Sequence, residues 1–570
     1  MSLIDWAVLL GTLAFIVLYG IWKTRGSQDI DGFLKGNNTE HWWTICLSVM
    51  ATQASAITFL STPGQAYEDG MRFLQFYFGL PLAMVIICIS FIPMYYRLKV
   101  YTAYEFLESR FDLKTRMLAA LLFLIQRGLA AGITIYAPAI ILSTILGWNI
   151  NVTNFCLGMV VILYTVSGGT RAVSVTQKQQ MAVMMGGMIV AGLMVINMLP
   201  EHVSFGQAIQ VAGEMGKLNL VNFSFDWNDR YNVWSGVTGG VFLFMSYFGT
   251  DQSQVARYLS GSSVAQSRIG LLFNGLLKIP MQFIILLVGV MVFVFYQFVQ
   301  PPVFFNKVEK EKIYETPYAG QMIQLETEHH RNFQEKTKQV RAMVEGMHTG
   351  NEGAVDAASY NLSAIEAEGK NIRTRVKELV KTANPKAETK DTDYVFITFV
   401  MQYMPEGMIG ILLAVIFCAS MSSTASELNA LASTSVIDMY RRSVKTNGSD
   451  THYLVMSRVF TVFWGGLAIL FATLASQLDN LIQAVNILGS LFYGTILGIF
   501  VVAFYFKYIK ARAVFLAALL AEGIVILTFV RTDIGFLWLN PIGCLLVIFF
   551  GYFFQLVLGR PANSHEPDNS

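Results

Sequence analysis

An all-α polytopic membrane protein is the fold class predicted, and three observations predict it. Of 570 residues, 54% are hydrophobic and only 14% are charged, and the mean hydropathy is +0.50, far from a soluble globular composition. Apolar runs of about twenty residues recur along most of the chain, and each can cross roughly 30 Å of hydrocarbon as a helix. Two of these runs are interrupted by polar or Gly/Pro residues at membrane depth, where discontinuous helices free backbone groups to bind solutes and ions.

About 13 transmembrane helices are expected, at 3–22, 43–62, 73–96, 117–146, 152–168, 180–199, 234–256, 269–298, 406–440, 454–475, 481–506, 512–530 and 537–557. The first is no secretory signal, because it carries Asp5, has no basic residue ahead of it and lacks a small-residue cleavage site. About 20 Lys and Arg fall in the connections holding Lys23, Arg97, Lys99, Arg171, Arg257, Arg441 and Lys507, against about 4 on the other side. The N-terminus is therefore expected outside and the C-terminus inside. Cys46, Cys88, Cys156, Cys418 and Cys544 all sit in apolar segments without paired or metal-ligand spacing, so they read as buried hydrophobes. A net charge of +2 with no basic patch argues against nucleic acid as a partner.

The stretch 300–392 breaks the pattern with high charge on helical periodicity, as in QLETEHHRNFQEKTKQVRAMVEG. It reads as an external helical insertion, with a docked protein partner as the alternative use. His329 and His330 are adjacent in sequence and so cannot share a helical face as two metal ligands.

The second span reads SVMATQASAITFLSTPG, with Thr52, Gln53, Ser55 and Thr58 at mid-membrane; the seventh carries Gly239-Gly240 and Gly249 just before Asp251. They lie five spans apart, which matches the first helices of two five-helix repeats. The organisation expected is an extra helix and cytoplasmic linker (1–41), a first repeat (42–199), an external loop (200–233), a second repeat (234–506) holding the insertion, two further helices (507–557) and a cytoplasmic tail (558–570). In the ninth span Ala419, Ser422, Ser423 and Ser426 recur at i, i+3, i+4 and i+7 on one helical face. Hydroxyl oxygens are hard ligands suited to Na⁺ when carbonyls complete the shell; a stripe of small residues is equally what close helix packing needs.

Four motifs together resemble the sodium/solute symporter family: YTAYEFLESRF (101–111), YTVSGGTRAVSVTQKQQ (164–180), TDQSQVARYLS (250–260) and ASMSSTASELNALASTSVIDMYR (419–441). The resemblance covers about 1–300 and 393–557 and leaves the insertion without a counterpart. It implies a LeuT-like 5+5 inverted repeat with discontinuous helices, working by Na⁺-driven alternating access in the cell membrane. It also implies a sodium site made of the carbonyls of Ala51, Ala54 and Ala419 and the hydroxyls of Ser422 and Ser423. Where some members hold a second sodium, this chain has Gln177 in place of an aspartate and Ala425 in place of a hydroxyl, which points to one sodium per cycle.

By the same resemblance the solute binds beside the ion, with Gln53, Ser55, Thr58, Phe76, Tyr77, Arg127, Tyr247, Phe248 and Lys278 as candidate contacts. Lys278 matches a lysine that contacts sugar in sugar-transporting members, and Arg127 an arginine that binds the carboxylate in sialic-acid transporters. Both are intramembrane cations, which are costly unless functional or paired. Tyr77 and Phe248 depart from the sugar transporters' glutamate and tryptophan. The function expected is Na⁺ symport importing a small polar solute, with sugar or amino sugar preferred and sialic acid or a monocarboxylate as the alternative. An intramembrane enzyme is disfavoured because no span carries a His/Asp metal cluster or a nucleophile with a base, and Glu522 stands alone in its span. A solute sensor is the remaining class.

Overall fold

The computed structural model describes residues 1–24, 38–385, 387, 389, 391–475 and 481–558. The linker after the first span, residues 476–480 and the expected tail beyond Leu558 lie outside the described residues, as do the side chains at 167–172 within the second motif. The elements are helices throughout, and ten helical stretches are long and apolar enough to cross a membrane among the described residues.

The first span forms α1 (Leu3–Thr24). The second and third, expected as separate runs, divide differently. Helix α2 (Trp42–Gln53) stops at Ala54, whose φ of −82° and ψ of 80° leave the helical region, and α3 (Ala56–Asp69) restarts after Ser55. The chain then tightens into a 3₁₀ turn over Gly70–Gly79 and enters α4 (Leu80–Leu98). Nothing in ATQASA demands the break by propensity, since it contains neither Gly nor Pro; packing against neighbouring helices imposes it.

Helix α5 (Leu113–Leu146) starts at an Asp112 cap that accepts the Thr115 N–H at 2.8 Å. The runs expected at 152–168 and 180–199 join in one helix, α6 (Ile150–Asn197), so the connection expected between them is helical. No proline interrupts this stretch to stop it. Its two parts serve different neighbours: Gly158 and Ile162 meet Ile469 and Gly465, whereas Gly187 meets Val415.

The seventh span is broken as expected. A π turn at Ser235–Gly239 leads into α7 (Gly240–Gly249), the chain leaves the helix at Thr250, and α8 (Gln252–Leu259) restarts under an Asp251 cap that accepts the Ser253 N–H at 2.9 Å. The 3₁₀ segment before α4 closes on α7, where a Cβ on Gly79 would overlap the Val241 backbone. Helix α9 (Val264–Phe298) lies against α2, α3 and α4.

The charged stretch is a helical hairpin, α10 (Ala319–Thr349) and α11 (Glu352–Ala383), turned at Gly350 with φ +65°. Lys336–Glu366 at 3.2 Å and Arg375–Glu328 at 2.7 Å join its arms. Buried Asp391 anchors it: the carboxylate takes Arg373 at 2.9 Å, Lys377 at 3.1 Å and the Phe305 N–H at 2.9 Å. Burial opposes the charge on Asp391, and Arg373 and Lys377 outweigh it and hold the carboxyl below its ordinary range.

The remaining long helices among the described residues are α12 (Met408–Thr434), α13 (Asp450–Leu474), α14 (Leu481–Tyr505), α15 (Ala511–Arg531) and α16 (Leu539–Leu558). Helix α12 is buried along nearly its whole length, with α5 and α6 packed on it. It is the hub of the bundle.

Burial under the hairpin, with Arg373 and Lys336 nearby, pushes the His329 imidazole down from 6.5 to about 4. The unfolded chain therefore binds more protons between those values, so stability present above pH 6.5 is lost as pH falls toward 4. The loss attributable to this ring is roughly 3 kcal/mol at most. Hairpin amide exchange should rise across that window, and His329→Gln should flatten the dependence.

Candidate functional site

Where the α2–α3 break faces α12, oxygens converge. Ser422 Oγ donates to the Ala51 carbonyl at 2.9 Å, and Ser423 Oγ donates to the Ala419 carbonyl at 2.9 Å. Ala51, Ala54 and Ala419 are fully buried, and Ala54 forms the break itself. The Ser422 and Ser423 hydroxyls and the carbonyls of Ala51 and Ala419 are hard, neutral oxygen groups of the kind that suits a hard monovalent cation such as Na⁺.

Gln177 on α6 ties the neighbouring position together. Its Nε2 donates to Thr52 Oγ1 at 2.9 Å, Ser426 Oγ at 3.0 Å and Ser422 Oγ at 3.1 Å. Its Oε1 accepts from Ser48 Oγ. An amide N–H₂ thus stands among the three hydroxyls, and a donor there repels a cation where a carboxylate would attract one.

Beside this oxygen cluster lies a cavity of about 90 Å³, well below the roughly 300 Å³ at which drug-sized pockets begin. Thr52, Gln53, Ser55, Thr58, Phe76, Tyr77, Arg127, Tyr247 and Ser423 line it. Seven of the nine candidate solute contacts are therefore brought together. Phe248 is fully buried and packs on Phe244 and Tyr247, outside the lining. Lys278 is also outside it: the side chain is fully buried, with Nζ 6.0 Å from the Tyr77 ring centroid and no hydrogen-bond partner among the described residues.

Arg127 is not a free guanidinium. Nη1 donates to Glu427 Oε1 at 3.1 Å, and Nη2 donates to Tyr493 Oη at 2.6 Å and to Asp251 Oδ2. The guanidinium also lies 5.4 Å from the centre of the Tyr247 ring. Asp251 is saturated, since Tyr493 Oη donates to Oδ2 at 3.0 Å while the Ser253 N–H and Oγ–H donate to Oδ1 at 2.9 and 2.7 Å. A carboxylate arriving at Arg127 would meet two acids already there, with Nε the guanidinium nitrogen that has no partner among the described residues.

Glu427, Tyr493 and Phe244 also line the cavity, and sequence reasoning did not single them out. The signal for Glu427 and Asp251 was present, because the rule that flags a charge inside a span applies to acids as much as to Arg127 and Lys278. Tyr493 offered none, being one aromatic in an apolar helix.

Three comparisons bear on this arrangement. The family model for the sodium:solute symporter family matches residues 33–319 and 377–521. The sodium/iodide cotransporter of Homo sapiens is 32% identical over 285 residues, 49% of this chain and 43% of that protein. The sodium-coupled monocarboxylate transporter 1 of Homo sapiens is 32% identical over 273 residues, 47% of this chain and 44% of that protein. The matched regions thus span less than half the length of these relatives. Among solved structures, a Na⁺-coupled sialic acid symporter superposes with a TM-score of 0.75 at 21% identity, covering 99% of this chain and 100% of that one.

Truncating Arg127 to Leu leaves two buried carboxylates unpaired and should cost about 3–5 kcal/mol. The triple variant Arg127→Leu, Asp251→Asn, Glu427→Gln should recover most of that stability. Thermal unfolding of both in detergent micelles checks the difference.

Proposed function

The chain belongs to the sodium:solute symporter family, and from that premise we propose that it imports a small polar organic solute across the cell membrane, driven by sodium. Sodium is the coupling ion of this family. What supports the reading most is the convergence of the Ala51 and Ala419 carbonyls with Ser422 and Ser423 at a helix break, beside a small polar cavity that Ser423 also lines. An ion there joins the α2–α3 break to α12 and holds the cavity closed on that side; its departure frees the two to part.

The N-terminus and the hairpin are read as outside, on the face where Asp5 accepts the Gly407 N–H at 2.7 Å. Inward sodium movement then gains about 2.3 kcal/mol per charge per 100 mV of inside-negative potential. One sodium per cycle is the reading supported by Gln177, whose amide, and not a carboxylate, stands beside Thr52 and Ser426.

For the solute, a neutral or amine-bearing polar molecule such as an amino sugar is favoured, because Arg127 is already held by two acids. The second reading, a carboxylated solute, is supported by the relatives named for monocarboxylate transport and by Lys278 Nζ, which lies 6.0 Å from the Tyr77 ring centre and has no hydrogen-bond partner among the described residues.

Titrating NaCl against KCl at fixed ionic strength should raise the thermal midpoint along a one-site curve. Ser423→Ala should abolish that rise, and an unchanged titration in this variant overturns the site. In proteoliposomes supplied with a transported solute, uptake should follow sodium with a Hill coefficient near one. Gln177→Asp should move it toward two.

A further inference from the structure

Among the described residues, one cation lines the cavity and two acids are held to it. Arg127 faces both Asp251 and Glu427. Asp251 has every oxygen engaged, whereas Glu427 spends only Oε1 on Arg127. Its Oε2 has no hydrogen-bond partner among the described residues, although Glu427 is only 7% exposed and lines the cavity. The Thr134 hydroxyl, which donates to the Ala130 carbonyl at 3.1 Å, also lies within reach of the Glu427 carboxyl, so a neutral hydroxyl also stands beside it. Lys278 meets the lining only through the Tyr77 ring and makes no ion pair with either acid among the described residues.

A buried carboxylate oxygen without a donor is costly unless something cationic arrives. The surroundings indicate which cation. Phe76, Tyr77, Phe244, Tyr247 and Tyr493 line the same cavity, with Tyr77 stacked on Phe244 at 5.7 Å and Tyr247 6.0 Å from Tyr493. Aromatic faces around a single carboxylate suit an organic ammonium, which gains from the ring quadrupoles and needs no complete oxygen shell. A bare sodium ion needs that shell, and the oxygens that would supply it lie at the α2–α3 break.

We propose that Glu427 Oε2 and the aromatic lining bind an ammonium group, so that the transported solute is an amine. This rests on the symport reading and names the solute class of the same cavity. Glu427 lies one helical turn from Ser423, so the coupling sodium is the rival claimant to its charge.

The test uses the purified full-length protein in detergent, with its thermal midpoint read at constant ionic strength. Methylammonium and ethanolamine are titrated in sodium and in potassium, with ethylene glycol as the neutral match and acetate as the anionic one. Both amines should raise the midpoint saturably, ethylene glycol and acetate should not, and Glu427→Gln should weaken the apparent amine affinity at least tenfold while Glu427→Asp retains part of it. Absence of a saturable amine shift in the unmodified protein overturns the proposal without reference to any variant. So does an equal amine shift in Glu427→Gln, or a Glu427→Gln variant that loses the sodium shift and keeps the amine shift. If the unmodified protein shows no sodium shift, the symport reading fails instead, and the amine titration in potassium still decides whether Glu427 binds ammonium.

Discussion

One guanidinium joins four segments of the membrane bundle. Arg127 projects from α5 to Glu427 on α12, to Asp251 at the second helix break and to Tyr493 on α14. In hydrocarbon no water can stand in for a missing partner, so each group is held by the need of the others for compensation. Asp251 does two jobs in this arrangement: it caps α8 and it neutralises the cation. The cap of the second broken helix and the anchor of Arg127 are therefore one carboxylate.

The first broken helix is held by the opposite strategy. No charge touches the α2–α3 break among the described residues; neutral dipoles do, through Gln177, Thr52, Ser422 and Ser426. This contrast has a functional logic. A break that gains and releases an ion in every cycle is better served by hydroxyls and carbonyls, which can exchange partners cheaply, than by ion pairs, whose separation in hydrocarbon costs several kcal/mol.

The fold was legible in the sequence because a membrane bundle is dictated first by the length of its apolar runs, and these can be read without any knowledge of packing. The positions of the breaks were partly legible. Gly249 and Asp251 mark the second, since a capping aspartate in an apolar run has few other uses. The first carries no such mark: ATQASA reads as helix, and only packing opens it at Ala54. The fusion of 152–168 with 180–199 was illegible for a related reason, as Gly168-Gly169 and a polar run suggest a loop while nothing in them forbids a helix. At the site, oxygens on one face of α12 could be phased from spacing, whereas the partner of Arg127 could not, because residues 124 and 300 positions away share no sequence pattern.

The hairpin is tied to the bundle at the element that a cycling ion would move. Arg373 lies between the Asp391 carboxylate at 2.9 Å and Glu68 at 3.6 Å, near the end of α3. Thr392 packs its backbone on Gly64 of the same helix, so closely that a Cβ there would collide. Thr337 on α10 donates to the Gln297 carbonyl at 3.3 Å, near the end of α9. The hairpin thus grips both α3 and α9, and any tilt of α3 relative to α9 must shear contacts inside it or carry it along. The Asp391 pairing is buried and multidentate, while the Glu68 contact is long and half-exposed; of these two ion pairs the weaker is the one to α3. Strain from a moving α3 would therefore be released first at Glu68, leaving the hairpin's own anchor intact.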